Sequence, residues 1–123
     1  YYEWMRNGND KHPFYFHHPQ NHIMPMAGLW DKWLDEKNKE VYSYTVITTE
    51  PSEPIAHIHN RMPVILNNDE VDNWIASKSS PAEVMNYLTP FKNELIFHPV
   101  SNFVNSPRNN SEICIQPLTQ EIP

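Results

Sequence analysis

Proline is the residue that most limits what this chain can form. The sequence holds 12 prolines and only two glycines among its 123 residues. Proline has no backbone N–H to donate and breaks the interior of a helix, so long helices rarely survive such a density. The spacing therefore predicts many short elements joined by turns.

Runs of β-branched and aromatic residues predict the strands. The clearest is residues 41–49, where Val, Ile, Thr and Tyr predominate. An Asn-Gly turn is predicted at residues 7–10, after a strand end at residues 1–4. The other predicted strands cover residues 14–16, 26–34, 63–66, 95–97 and 114–118. Together they predict a hairpin or meander.

Capping residues predict three short helices. Ser52 starts one that runs to about residue 59, and Asn68 or Asp69 starts one that continues through Ile75. Ser80, followed by Pro81 and a glutamate, starts the third. The predicted class is α+β, with a strand-rich mixed sheet or distorted barrel and short helices. Four apolar residues are expected to be buried: Trp30, Val46, Ile65 and Phe97.

Length and cysteine content indicate the broad class of protein. A chain of 123 residues predicts one domain, and no apolar run approaches the roughly 20 residues that a membrane-spanning helix needs. The sequence opens on Tyr1 rather than Met, so we expect a fragment, a processed product or a truncated chain. The absence of a signal peptide and the single Cys114 predict a cytoplasmic protein in which this cysteine is a small buried apolar residue.

The net charge limits nucleic-acid binding. The formal charge is −6 at pH 7, whereas proteins that bind nucleic acid usually carry a basic excess. Any DNA-binding surface is therefore expected to be local, or to be completed by another part of the protein.

Two short segments carry candidate chemistry. His59 stands two residues before Arg61, which places a group that titrates near neutral pH beside a permanent cation able to hold a phosphate. The alternative is a structural histidine and a surface arginine, which spacing alone favours. Glu3 stands between Tyr2 and Trp4, so strand alternation directs its carboxylate to the opposite face. It is either a base in a cleft or a solvent-facing glutamate.

Metal binding is a weaker interpretation of the histidines. His57 and His59 share a face only if their segment is extended, and His17 and His18 are adjacent. No cysteine pair and no His-Glu-x-x-His pattern accompanies them. The sequence therefore predicts no metal site and no other cofactor.

Five motifs in order resemble the SRAP (SOS response-associated peptidase) family. Each is short, but their order and approximate spacing extend over nearly the whole chain. The matching segments are Tyr2-Glu3-Trp4, the Ala-Gly-Leu-Trp of residues 27–30, the Ile-Thr-Thr of residues 47–49, residues 58–66 and residues 104–109.

The resemblance implies an abasic-site sensor of single-stranded DNA. Family members bond covalently to the ring-opened aldehyde of an abasic site through an N-terminal Cys, whose amine and thiol close a thiazolidine ring. The resemblance implies catalytic roles for Glu3, beside that amine, and for His59, as the acid and base for ring opening and crosslink reversal. It implies a phosphate contact for Arg61 and assigns DNA binding to Thr48, Trp4 and Arg108 as well.

The family's N-terminal region is absent from this sequence. We therefore expect residues 1–123 to be the C-terminal portion of one SRAP domain and to be inactive alone. The expected partners are single-stranded DNA with abasic sites and the missing N-terminal half, with no membrane, in a cytoplasmic protein that associates with the nucleoid when it acts on DNA. The alternatives are a peptidase acting on other proteins and a non-catalytic protein-interaction module.

Overall fold

The computed structural model describes residues 1–76 and 78–119. They form two compact units. The first unit comprises Tyr1–Ile23, Glu53–Asn60 and the described part of Lys92–Pro123, and the second comprises Met24–Ser52 and Arg61–Phe91. In chain order the elements are β1 (Tyr2–Asn7), β2 (Asp10–His17), β3 (Gly28–Leu34), β4 (Glu40–Val46), β5 (Thr48–Thr49), β6 (Met62–Pro63), α1 (Asn68–Ile75), α2 (Pro81–Val84) and β7 (Ile96–Pro99), with single 3-10 turns at Glu53–Ile55, Met85–Tyr87, Asn102–Asn105 and Glu112–Cys114.

The first unit is built on an antiparallel sheet in the order β1-β2-β7. The predicted Asn-Gly turn joins β1 to β2, with Asn7 paired to Asp10 and Gly8 at a φ of 60°. Glycine adopts this positive φ without strain, and a glycine at the first central position is typical of a type II′ hairpin turn. One face of β2 buries Phe14 and Phe16, which belong to the core of this unit.

The second unit contains the β3–β4 hairpin, the short β5–β6 pair and the helices α1 and α2. The buried residues Ala27, Val64 and Leu66 form its core, and five apolar side chains pack against them: Ile47, Val71, Trp74, Tyr87 and Leu88. Backbone bonds join the three segments, since Ala27 N donates to Val64 O and Val64 N donates to Ile47 O, each at 2.9 Å. Ile65 is buried beside them, as predicted.

Two of the three predicted helices are present, with the predicted kind of cap. Ser80 caps α2 in a capping box with Glu83, and Pro81 stands in the first turn. The cap of α1 is Asn67, one residue before the predicted position, and Glu70 completes its capping box. The segment after Ser52 forms only the 3-10 turn Glu53–Ile55 instead of a helix to residue 59. Among residues 1–76 and 78–119, no helix has the length and apolar character needed to cross a bilayer.

The α+β class is confirmed, although several details differ from prediction. The strand pairings of the described residues are all antiparallel and close no barrel. Residues 114–118 do not form a strand: Glu112–Cys114 is a 3-10 turn, and only an isolated bridge joins Pro117 to Val100. Cys114 is buried, as predicted.

The predicted burial of Trp30 and Val46 is wrong. Trp30 is 72% exposed and Val46 is 42% exposed, and Phe97 is half-buried rather than fully enclosed. Trp30 and Val46 lie on the β3–β4 hairpin, whose two strands pair only with each other among the described residues. The strand prediction was correct, but the other described elements of the second unit do not cover this hairpin.

Candidate functional site

The strand β1 positions Glu3. In the β1–β2 register Glu3 lies opposite Phe14, and Tyr2 lies opposite Tyr15. Cross-strand neighbours share a face, so Glu3 lies on the face that carries buried Phe14. The rings of Tyr2 and Tyr15 lie 5.4 Å apart on the other face. The predicted alternation is therefore confirmed: Glu3 points toward the core of the unit and not with its aromatic neighbours.

A compact turn brings His59 to the same place. Ile55 and Ile58 are buried and anchor the segment Glu53–Asn60. The backbone N–H of Ile58 donates to Ile55 O at 2.8 Å, and the N–H of His59 donates to the same carbonyl at 3.3 Å. His59 Nδ1 lies 3.6 Å from Glu3 Oε2, with the two side chains 39% and 21% exposed. Two residues that are 56 positions apart in sequence thus meet at a partly open site.

The surroundings of Glu3 favour proton transfer. Burial raises the pKa of its carboxyl group above the ordinary value, and a positively charged His59 opposes that rise. A carboxylate with a raised pKa is a stronger proton acceptor than an exposed one, and imidazole exchanges protons near neutral pH. The pair therefore has the composition of an acid/base site.

A shallow groove of about 280 Å³ opens beside His59. It is lined by Trp4, Arg6 and the five residues of the turn from Ala56 to Asn60. An aromatic ring, an arginine and His59 thus border one concave surface of the first unit. Nucleic-acid-binding surfaces combine groups of these kinds for base stacking and phosphate contact.

Trp4 and the family motif at residues 104–109 are joined within the first unit. The indole N–H of Trp4 donates to Asn105 Oδ1 at 2.8 Å. In the same motif Asn109 Nδ2 donates to Phe103 O at 2.6 Å, which closes the loop around the 3-10 turn. Arg108 is exposed on this loop. One role of the motif is therefore to hold the Trp4 ring.

Arg61 and Thr48 meet in the second unit. Arg61 Nη2 donates to Thr48 O at 2.6 Å and to Thr48 Oγ1 at 3.0 Å, and Arg61 Nε donates to Thr48 Oγ1 at 3.2 Å. Both residues are exposed. Thr48 thus orients the guanidinium group at the surface. The hypothesis that Arg61 lines the rim of the Glu3–His59 site involves both units and stays a prediction.

Five other histidines make ring contacts. His18 stacks on His22, with ring centroids 4.7 Å apart, and His57 packs 6.1 Å from Phe97. His17 and His98 lie beside Tyr15. In the part of the chain that the structure describes, no three His, Cys, Asp or Glu side chains are grouped so as to hold a metal ion.

Besides Arg6 of the groove, sequence reasoning missed Tyr1. Its ring stacks on Phe16 and its hydroxyl oxygen is buried, on the strand face that carries Glu3. The sequence did indicate this position for Tyr1, because residues 1 and 3 of a strand point to the same face. The partner of Trp4, Asn105, had no comparable signal, since the two are 101 residues apart.

The chain is similar to proteins of one family. The family model described as SOS response associated peptidase (SRAP) matches residues 1–107. The chicken (Gallus gallus) abasic site processing protein HMCES is 36% identical over all of this chain and 43% of its own length. The abasic site processing protein YoaM of Bacillus subtilis is 38% identical over 90% of this chain and 50% of its own length.

A solved structure has a similar fold. A protein from Bacteroides thetaiotaomicron superposes with a TM-score of 0.85 at 30% identity, covering 96% of this chain and 53% of that one. The chain thus spans about half the length of the relatives it matches. The family model covers most of residues 1–123, and the chain belongs to the SOS response associated peptidase (SRAP) family.

Proposed function

We propose that this chain supplies the acid/base groups and part of the DNA-binding surface for processing abasic sites in single-stranded DNA. The observation that carries the proposal is the 3.6 Å approach of His59 Nδ1 to Glu3 Oε2. The named relatives, which are described as abasic site processing proteins, support the same substrate. The proposal assigns formation of the covalent bond to an N-terminal Cys outside this chain.

The chemistry requires two kinds of proton transfer. In the closed abasic sugar, ring opening removes a proton from the hydroxyl group and adds one to the ring oxygen, and we assign both transfers to His59. The amine of the Cys then attacks the aldehyde carbon, and water leaves as the imine forms. The thiol sulfur then adds to the imine carbon as the C=N π bond breaks, and the proton that the thiol loses goes to the nitrogen, which closes the thiazolidine. Glu3 accepts the proton that the attacking amine loses, a step that its raised pKa favours.

The remaining assigned residues suit DNA contact. Arg61 is exposed and oriented by Thr48, as a phosphate ligand must be. Trp4 borders the groove beside His59 and offers a ring for base stacking. Arg108 adds a second exposed cation. The net charge of −6 limits these contacts to local ones, so further basic surface has to come from the rest of the protein.

The proposal includes a structural requirement, namely that the family domain is completed by polypeptide outside this chain. One face of the β3–β4 hairpin exposes five large apolar side chains: Trp30, Leu34, Tyr42, Tyr44 and Val46. Contiguous apolar surface and unpaired strand edges are unfavourable in water and favour coverage by another segment. The relatives contain about as much chain again as the portion matched here, which is long enough to supply such a segment.

The experiment uses a polypeptide that joins this chain to the family's N-terminal region. Single-turnover crosslinking to abasic single-stranded DNA is measured for the Glu3→Gln and His59→Ala variants. Each variant should react more slowly, by about 10²–10⁴-fold for a general acid or base. Glu94→Gln and His22→Ala are matched controls, because both residues are exposed and neither lines the groove. Wild-type rates for both site variants would disprove the acid/base assignment.

A second arm tests this chain alone. It should bind single-stranded DNA weakly and form no crosslink, since Cys114 lies inside the chain and cannot offer an α-amine with its thiol. A crosslink formed by the isolated chain would refute the assigned nucleophile. Cleavage of unrelated proteins by the joined polypeptide would favour the peptidase alternative.

A further inference from the structure

Tyr1 lies on the strand face that carries Glu3 but has no part in the chemistry above. Its ring stacks on Phe16, with centroids 4.8 Å apart and planes at 10°. Phe16 is fully buried, and Phe16 N donates to Tyr1 O at 2.8 Å. These contacts hold the ring on the face of β1 that carries Glu3 two residues later.

The hydroxyl of Tyr1 is not explained by packing. Its oxygen is buried and has no hydrogen-bond partner among residues 1–76 and 78–119. A buried hydroxyl without a partner is unfavourable, because it has lost its hydration without compensation. A phenylalanine would keep the stacking on Phe16 at no such cost. The hydroxyl therefore needs a reason other than the stability of the fold.

Electrostatics connects this hydroxyl to Glu3. Burial, and then the charge of Glu3, raise the pKa of the Tyr1 phenol, which stays protonated at neutral pH. A protonated phenol is a hydrogen-bond donor, and an ionised carboxylate is an acceptor. Such bonds are often long in an empty site and tighten when the substrate binds.

We propose that Tyr1 is a positioning residue for Glu3, whose hydroxyl donates a hydrogen bond to the carboxylate once DNA fills the site. The bond fixes the position of the carboxylate that accepts the proton. No covalent bond of Tyr1 forms or breaks. The inference depends on the proposed role of Glu3 as the base.

The test is Tyr1→Phe in the joined polypeptide, with Tyr2→Phe as the matched control. Tyr2 faces the opposite side of β1 and donates to Cys114 O at 3.2 Å. Tyr1→Phe should lower the single-turnover rate at saturating abasic DNA by about tenfold, the loss expected for one hydrogen bond to a charged group. Its affinity for intact single-stranded DNA should not change, and its melting temperature should stay the same or rise. Tyr2→Phe should keep the rate and lower the melting temperature.

A double variant separates this inference from the proposed function. If Tyr1 acts through Glu3, Tyr1→Phe should cause no further loss of rate in a Glu3→Gln background. A wild-type rate for Tyr1→Phe, or an additional tenfold loss in that background, overturns the inference alone. A wild-type rate for Glu3→Gln overturns the proposed function itself.

Discussion

The Glu3–His59 pair has features of a site that contributes to chemistry more than to stability. Both side chains are partly exposed, and their closest atoms are 3.6 Å apart, which is longer than a good hydrogen bond. Ion pairs with this exposure contribute little to folding. The burial of Glu3 raises its pKa, so ionising it disfavours the folded state. A residue that is unfavourable for folding and placed beside a titratable partner is a good functional candidate.

Arg61 and Thr48 give a prediction at the same scale. Arg61→Ala should weaken binding to intact single-stranded DNA and lower the slope of log K against log salt by about 0.7, the value for one phosphate contact on a single strand. Thr48→Val removes the hydroxyl that accepts two of the three hydrogen bonds from Arg61 to Thr48. It should weaken binding severalfold with the salt slope unchanged, because the cation remains.

Salt titrations of binding check this difference. Thr45→Val is the control, since Thr45 is an exposed threonine on β4. A fall in slope for Thr48→Val equal to that for Arg61→Ala would contradict the positioning role of Thr48. Unchanged affinity for both variants would remove Arg61 from the DNA surface.

At the scale of the element, the cap of α2 predicts a pH dependence. Glu83 accepts hydrogen bonds from Ser80 N at 2.7 Å and Ser80 Oγ at 3.0 Å, and these lower the pKa of its carboxyl group. A carboxyl group with a lowered pKa in the folded state stabilises above its unfolded pKa, and loses that effect as the pH falls through its folded pKa. Glu83→Gln keeps the accepting oxygen but removes the charge.

Hydrogen exchange of the amides that follow Ser80 measures this effect. Protection in the wild type should exceed that in Glu83→Gln at pH 7, and the two should converge below the ordinary glutamate pKa of about 4.3. The exposed Glu94→Gln serves as the control. A constant difference across the whole pH range would show that the charge of Glu83 does not contribute.

The same elements show how much of the fold could be predicted from the sequence. The cap of α2 and the turn at Gly8 depend on neighbouring residues, and both were predicted. The wrong predictions concern burial, which depends on residues distant in the sequence. Strand composition correctly placed Trp30 and Val46 on strands, but burial depends on a covering layer that composition does not specify.

In the candidate site too, local features could be predicted from the sequence and contacts between distant residues could not. Alternation along β1 gave the direction of Glu3, and the structure confirms it. The meeting of Glu3 with His59 was expected from the resemblance, because no periodicity relates residues 56 positions apart. The bond from Trp4 to Asn105 spans 101 residues; both belong to family motifs, but no sequence pattern indicated that they are paired.

At the scale of the whole molecule, the exposed face of the β3–β4 hairpin predicts that another polypeptide segment binds to it. Trp30 and Tyr44 are paired across the strands, and Trp30 stacks on Tyr42 at 6.2 Å. The only charged groups on this face, Lys32 and Glu40, neutralise each other through a 2.8 Å ion pair. We propose that the family's N-terminal region covers this face with apolar side chains of its own.

Binding between this chain and a separately produced N-terminal region tests the proposal. A double change of Trp30→Ser and Tyr44→Ser should lower the affinity by at least tenfold, because aromatic residues dominate such interfaces. Ile23→Ser is the control, since Ile23 is 92% exposed and lies outside the hairpin. Sedimentation of the chain alone provides the opposing result: a stable homodimer that the double change disrupts would identify a second copy as the occupant.

The pairing of β2 with β7 has a consequence for synthesis of the protein. Phe14 and Phe16 belong to β2, but their partners in β7 follow about 80 residues later. At about 5–20 residues per second, a ribosome needs roughly 4–16 s to make that interval. During this time β1 and β2 can form their hairpin, while the apolar side chains of β2 lack the neighbouring strand β7. The first unit therefore completes its sheet late, and a chaperone that holds nascent chains should increase the yield of folded protein.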